Sequence, residues 1–236
     1  MKIKPIKIGN KYVGPGKPCF FVSEIGINHN GDISLAKKLI DIAKKAGSDA
    51  VKFQKRSINN LYKEEELKKY RESPFGKTYG EYRHGVEFNY NEYKKIDICC
   101  KKEKILWFTS CWDIQSVDFM EKLNPPCYKI ASASLTNHEL LKYIKTKNKP
   151  IIMSTGMSTM NQIDKAVKIL GKKKLIILHC TSSYPAKKEE LNLKVINFLI
   201  NKYKVPIGYS GHETLLAPSL AAVSIGASII ERHITM

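Results

Sequence analysis

Pro150-Ile151-Ile152-Met153-Ser154 is a short apolar run that opens into the polar turn Thr155-Gly156-Met157-Ser158. An amphipathic stretch over residues 159–170 follows, and then a second apolar run, Leu175-Ile176-Ile177-Leu178-His179-Cys180. Strand, helix, strand at this spacing predicts two parallel strands joined by a crossover helix. The same unit recurs along the chain. Strand candidates fall at residues 19–25, 50–54, 106–110, 127–131, 150–154, 175–180, 206–209 and 228–233. Amphipathic helical stretches at 33–46, 91–103, 114–123, 137–146, 159–170, 193–203 and 216–225 lie between most of them. Eight strand-and-helix units predict an α/β fold of the (β/α)8 TIM-barrel type. A doubly wound open sheet is the competing arrangement, but no G-x-G-x-x-G follows any strand. Two stretches break the pattern: a long polar insertion at residues 56–88, and residues 4–16, expected to form an N-terminal hairpin that plugs the barrel floor. The chain stops just past the eighth strand, so the last helix is expected to be missing.

The 236 residues, 43% of them hydrophobic, suffice for one full core, and no Gly-, Pro- or Ser-rich stretch reads as a linker. Residues 1–236 are therefore expected to form a single domain. No apolar run is long enough to cross a bilayer and no cleavable leader is visible, which predicts a soluble, cytoplasmic protein without membrane contact. The six cysteines contain no C-x-x-C and fall mostly in apolar stretches, so reduced, buried thiols are expected. The formal net charge is +18, yet only four of the 40 basic residues are arginines. Scattered lysines without the arginine fork describe a solvated surface and no nucleic-acid partner, while the surplus charge would help draw in a small anion.

In a barrel of this kind chemistry gathers where the strands end. Here those ends read Ser23-Glu24, Lys52-Phe53-Gln54, Phe108-Thr109-Ser110, Lys129-Ile130-Ala131-Ser132, Ser154-Thr155-Gly156, His179-Cys180-Thr181-Ser182-Ser183-Tyr184, Tyr209-Ser210-Gly211-His212 and Glu231-Arg232-His233. A lysine inside a strand is costly unless an anion meets it, which singles out Lys52 and Lys129. They either bind a phosphorylated or carboxylated ligand or form a structural ion pair, for instance with Glu24. Glu24 in turn is either a packing carboxylate or a base within the pocket. His212 and His233 end successive strands, where two imidazoles can converge on one ion and leave positions open for water and a substrate oxygen. The alternative is that each is simply hydrogen-bonded. Glu231 shares a strand face with His233 and offers a supporting contact; His29, His84, His138 and His179 are weaker candidates.

Together, Ser23-Glu24-Ile25-Gly26-Ile27-Asn28-His29-Asn30-Gly31, Val51-Lys52-Phe53-Gln54, Tyr128-Lys129-Ile130-Ala131-Ser132, Ser154-Thr155-Gly156-Met157, Tyr184-Pro185 and Glu231-Arg232-His233-Ile234-Thr235 resemble the sialic acid (N-acetylneuraminate) synthase family, in the family's order and over almost the whole chain. The resemblance implies a (β/α)8 catalytic domain that condenses phosphoenolpyruvate with an N-acetylated hexose, typically N-acetylmannosamine, giving N-acetylneuraminate or a related nonulosonic acid and phosphate. It implies a divalent metal (Mn2+, Mg2+ or Co2+) on His212 and His233. Phosphoenolpyruvate would lie among Lys52, Thr109, Lys129, Ser132, Ser154, Ser182 and Ser210, with Gln54 and Tyr184 facing the sugar and Glu24 handling proton and charge changes. It further implies a homodimer and a C-terminal antifreeze-like domain, which this sequence is expected to lack. The chain departs from the family where Ala133-Ser134 replaces a Gly-Glu, removing a carboxylate expected at the sugar. Two other readings remain: a barrel joining phosphoenolpyruvate to an aldose phosphate, which would need clustered arginines, and a non-catalytic anion-binding barrel.

Overall fold

The computed structural model describes residues 3–236. The chain begins with the hairpin strands β1 (Ile6–Ile8) and β2 (Lys11–Val13), paired antiparallel with Ile6 opposite Val13. The barrel then starts with β3 (Phe20–Gly26), α1 (Ile33–Lys45) and β4 (Ala50–Lys55). The insertion follows, carrying α2 (Ile58–Leu61), α3 (Glu64–Leu67), the strand pair β5 (Tyr70–Ser73) and β6 (Gly76–Thr78), and α4 (Tyr79–Gly85). The barrel resumes with α5 (Tyr90–Glu103), β7 (Leu106–Cys111), α6 (Ile114–Glu121), β8 (Tyr128–Ile130), α7 (His138–Thr146), β9 (Ile151–Ser154), α8 (Met160–Leu170) and β10 (Leu175–Cys180). It ends with α9 (Val195–Tyr203), β11 (Ile207–Gly211), α10 (Ala217–Ser224) and β12 (Ile229–His233).

Strands β3, β4, β7, β8, β9, β10, β11 and β12 close into a barrel in which β12 pairs back onto β3, all neighbours parallel. The predicted (β/α)8 fold is therefore what the chain adopts, with strand limits shifted by a residue or two. The crossover helices form because their starts are capped: Asp32 accepts from Ser34 N, and Asn89 and Thr159 make reciprocal capping boxes with Glu92 and Gln162. Their apolar stripes, such as Leu39, Ile40 and Ala43 on α1, pack against the outward faces of the strands.

The barrel lumen has two halves. Its lower half is apolar: Phe20, Val22, Ala50, Phe108, Cys127, Ile152, Ile176, Leu178 and Ile229 pack with Ile6, Ile8 and Val13 of the hairpin. The hairpin thus closes the floor, as expected from the sequence. Because side chains alternate along a strand, the next inward positions above this layer are Glu24, Lys52, Ser110, Lys129, Ser154, Cys180, Ser210 and Glu231, and all eight line one cavity. All six cysteines are free thiols. No helix among the described residues is long and apolar enough to cross a membrane.

Candidate active site

The cavity holds about 250 Å³ at the C-terminal mouth of the barrel and reaches down to two buried ammonium groups. Lys52 Nζ lies 2.8 Å from Glu24 Oε2 and 3.6 Å from Glu231 Oε1, and donates to Ser110 Oγ at 3.0 Å. Lys129 Nζ donates to Ser154 Oγ at 2.8 Å and lies 3.4 Å from Glu231 Oε1. One oxygen of Glu231 therefore bridges both lysines, and it also accepts from Ser210 Oγ at 3.2 Å. Lys52, Lys129, Glu24 and Glu231 are all at most 5% exposed. Two positive and two negative charges balance inside the lumen, which is what allows any of them to be there.

The electrostatics follow from this packing. Burial opposes the charge on Lys52, but Glu231 and Glu24 outweigh it and hold the ammonium above its usual range. On Lys129 burial wins over Glu231, with Lys52 repelling as well, so its affinity for the proton falls. Burial would raise Glu231, yet Lys129 and Lys52 pull it down to about 2. Glu24 receives an additional hydrogen bond from Gln54 Nε2 at 2.8 Å, and Gln54 Oε1 accepts from Arg56 at 2.6 Å.

His212 and His233 stand at the mouth with ring centroids 5.6 Å apart, and the exposed ring of Tyr184 sits 5.3 and 5.4 Å from them. His212 Nδ1 is 2.8 Å from the carbonyl of Thr181, which fixes that nitrogen as the N–H and leaves Nε2 with its lone pair facing elsewhere. Cys180 Sγ lies 4.0 Å from His212 Nδ1; its contact raises the His212 imidazole, while burial pushes the thiol up and His212, Lys129 and Ser132 together bring it below its usual range. The pair suits a divalent ion as two nitrogen ligands. No cluster of three or more His, Cys, Asp or Glu ligands occurs among the described residues, so water and substrate oxygens would have to fill the rest of the shell.

Of the residues expected from the sequence, Glu24, Lys52, Gln54, Lys129, Ser132, Ser154, Ser182, Ser210, His212 and His233 line the cavity. Ser132 and Ser182 flank Gly156: Ser132 Oγ accepts from Gly156 N at 3.0 Å, and a Cβ on Gly156 would lie 2.3 Å from Ser182 Oγ. Only glycine allows those hydroxyls to close in. Tyr184 stands outside, over the two imidazoles. Thr109 is a correction. It faces the helices beside Cys111, 3.4 Å away, and the inward hydroxyl on that strand is Ser110, which lies opposite Gln54 in the register. The period-two alternation from Phe108 carries this signal. Glu231 holds the lysines rather than supporting His233, and Trp112 and Cys180, not singled out from the sequence, complete the wall. His29 stacks on Phe88 at 4.0 Å, where burial drops it to about 4, and His179 bonds the Leu191 carbonyl, so neither lines the cavity.

The fold is a closed parallel TIM barrel whose C-terminal mouth gathers lysines, hydroxyls and an imidazole pair. Residues 39–236 match the model of the NeuB family, and the chain belongs to that family. It is 39% identical over 96% of its length to N-acetylneuraminate-9-phosphate synthase of Mus musculus, and spans 64% of that protein. It is 36% identical over 93% of its length to N,N'-diacetyllegionaminic acid synthase of Campylobacter jejuni, of which it spans 68%. Among solved structures, the N-acetylneuraminic acid (sialic acid) synthetase of Leptospira borgpetersenii superposes with a TM-score of 0.88 at 33% identity, covering 99% of this chain and 79% of that one. The chain thus spans roughly two thirds of the length of the curated relatives.

Proposed function

We propose that this barrel condenses phosphoenolpyruvate with an N-acetylated hexose, such as N-acetylmannosamine, to form a nonulosonic acid of the N-acetylneuraminate type and release phosphate. The observation that carries the reading is the pair of buried ammonium groups, each beside a serine hydroxyl, one layer below two imidazoles. Lys52 and Lys129, with Ser110, Ser154, Ser132 and Ser182, would hold the carboxylate and phosphate of phosphoenolpyruvate and fix the plane of its enol. A divalent ion held by His212 and His233 would supply Lewis acidity toward the sugar aldehyde. The methylene carbon of phosphoenolpyruvate forms the new bond to the aldehyde carbon as the aldehyde C=O π bond opens, leaving the phosphate-bearing carbon as an oxocarbenium centre; the aldehyde oxygen ends as a hydroxyl with the proton that Glu24 takes from water in the next step. Water adds to the resulting oxocarbenium carbon and gives one proton to Glu24; the bond between that carbon and the phosphate oxygen then breaks as the new hydroxyl passes its proton to the leaving phosphate and becomes the keto oxygen. The reading for Glu24 is supported by Gln54 and Lys52, which contact its Oε1 and Oε2 separately at 2.8 Å each and fix the plane of the carboxylate.

The test measures phosphate release from phosphoenolpyruvate with N-acetylated hexoses and Mn2+, with and without EDTA, while mass spectrometry follows the sugar product. Chelator-sensitive release with a product heavier by a pyruvyl unit is expected. Binding of phosphoenolpyruvate without any condensation would leave the non-catalytic anion-binding barrel as the better account.

A further inference from the structure

His212 and His233 stand at the ends of adjacent strands, yet different neighbours hold them. His233 is the last residue of β12 and pairs with Glu24 of β3. Just beyond it, Ile234 N donates to the Glu24 carbonyl at 3.0 Å and Asn28 Nδ2 to the Ile234 carbonyl at 2.8 Å. His212 follows the last residue of β11 and is tied the other way, to the segment after β10: its Nδ1 bonds the Thr181 carbonyl, and its own carbonyl accepts from Ala186 N at 3.2 Å. Between the two strands the ladder stops with Gly211 opposite Arg232, one residue short of the histidine on each side. The last step across is therefore left to side chains.

Glu213 and Arg232 supply it. Glu213 follows His212 and Arg232 precedes His233, so the ion pair between them runs from the neighbour of one imidazole to the neighbour of the other. Arg232 Nη1 donates to Glu213 Oε1 and, at 3.1 Å, to Ser219 Oγ in the first turn of α10, while Nη2 donates to the Glu213 carbonyl. The second carboxylate oxygen, Oε2, accepts from Tyr209 Oη at 2.7 Å. The Glu213 side chain is 2% exposed and that of Arg232 19%. Alternation along β12 turns Arg232 away from the lumen, and neither residue lines the cavity. The pair is seated flush on Gly211, where a Cβ would lie 2.7 Å from Glu213 Oε2 and 2.8 Å from Arg232 Nη1. A buried ion pair is a poor source of net stability, because desolvation offsets its attraction; its best-attested use is to specify one arrangement of the chain. Here that arrangement includes the spacing of two imidazoles whose centroids are 5.6 Å apart.

We propose that Glu213 and Arg232 are positioning residues: they lock the ends of β11 and β12 together and so set the affinity and coordination geometry of the divalent ion that His212 and His233 would hold. This rests on the ion site of the function proposed above and adds to it two residues outside the cavity. Metal–ligand distances are specified to about 0.2 Å, so a small drift of either strand end is felt at the ion. Removing residues that orient metal ligands ordinarily changes metal affinity about 10–100-fold.

The test is titration of the whole chain with Mn2+ alone, followed by the electron paramagnetic resonance signal of the free ion, and with Co2+ alone, followed by its visible absorption bands. Arg232→Met and Glu213→Gln are each expected to weaken Mn2+ binding about tenfold or more and to shift the Co2+ bands. The double variant is expected to bind no more weakly than the weaker single one, since the two residues act as one link. Arg232→Lys, which keeps the charge but not the fork, is expected to fall between the parent and Arg232→Met. Arg232→Lys and Glu213→Gln, close in shape to the originals, carry the test if Arg232→Met does not fold. A lowered melting temperature with Mn2+ affinity and Co2+ bands unchanged would make the pair merely structural and overturn the proposal. Additive losses in the double variant, Mn2+ binding that survives His233→Ala, or no Mn2+ binding by the parent would overturn it as well. Condensation is assayed apart from this titration, which needs no substrate: a parent that binds Mn2+ through both imidazoles but forms no product counts against the reaction, while the variants still decide the role of the pair.

Discussion

Replacing Glu231 with Gln removes the one carboxylate shared by Lys52 and Lys129 while keeping its shape. Lys52 retains Glu24 at 2.8 Å, but Lys129 is left with only the Ser154 hydroxyl. Two independent magnitudes agree. A carboxyl held at about 2 in the fold, against about 4.3 in an unfolded chain, contributes about 3 kcal/mol at neutral pH. Breaking a buried pair by removing one partner costs about 3–5 kcal/mol. The cost has a ceiling, because Lys129 can shed its proton: from an unfolded value of about 10.4, neutralising it at pH 7 costs about 4.6 kcal/mol, or about 1.36 kcal/mol per pH unit. We therefore expect Glu231→Gln to lose about 3–4 kcal/mol at pH 7. Its pH dependence has a definite sign. The folded-state value of Lys129, already lowered by burial, falls further in the variant, so between that value and the unfolded one the unfolded chain binds more protons and stability rises with pH. The deficit relative to the parent should shrink from neutrality up to the parent's own Lys129 value, which burial holds below the unfolded one, and stay level above it. Urea unfolding of both proteins across that range, followed by Trp107 and Trp112 fluorescence, measures it. A deficit below about 1 kcal/mol, or one that stays constant with pH, would refute the account of Glu231 as the shared counter-ion.

Lys129→Ala should raise the apparent KM for phosphoenolpyruvate by at least about tenfold, the loss of one charge-assisted contact; an unchanged KM in steady-state kinetics would remove Lys129 from the anion site. His233→Ala should abolish metal-dependent turnover while leaving the melting temperature near that of the parent; parent-level rates in Mn2+ would dismiss it as a ligand. Ser110→Ala should weaken phosphoenolpyruvate binding by about 1 kcal/mol or more, the worth of a hydrogen bond to a charged group, whereas Thr109→Val should not change it. Titration calorimetry on the two neighbours separates the inward position from the outward one, and equal effects would contradict the strand register.

The fold was legible because a parallel barrel writes itself as repeated apolar runs and amphipathic helices, and that period survives even in strands as short as β8. The hairpin floor was legible for the same reason. What failed was choosing between adjacent residues. Thr109 and Ser110 are both hydroxyl residues at one strand end, and only counting by twos from Phe108 distinguishes the face turned to the lumen from the face turned to α5 and α6. Glu231 was visible as a candidate, but its partners are on β4 and β8, and contacts across a closed barrel cannot be read from spacing along one strand. The arginines illustrate the opposite case. Their small number argued against a cluster, although three of them stand within residues 56–88, a single insertion; total composition concealed what position displayed.

The ion pairs that let the lumen fold without a ligand also limit how it can bind one. An anion entering between Lys52 and Lys129 finds both ammonium groups already committed, so it does not gain two free charges; it must share them with Glu24 and Glu231. Its affinity is therefore the difference between two well-compensated arrangements, not the sum of new contacts. The serines make that exchange workable, since Ser110, Ser154 and Ser210 can rotate a hydroxyl to follow either a carboxylate or a ligand oxygen without moving the backbone. The geometry of Glu24 gains meaning from the same argument. Its Oε2, close to Lys52 yet without a directed hydrogen bond, is the carboxylate oxygen most easily released when the ammonium turns to an incoming anion. In the condensation proposed for this site, an oxygen freed in that way would be a base available only when substrate is present.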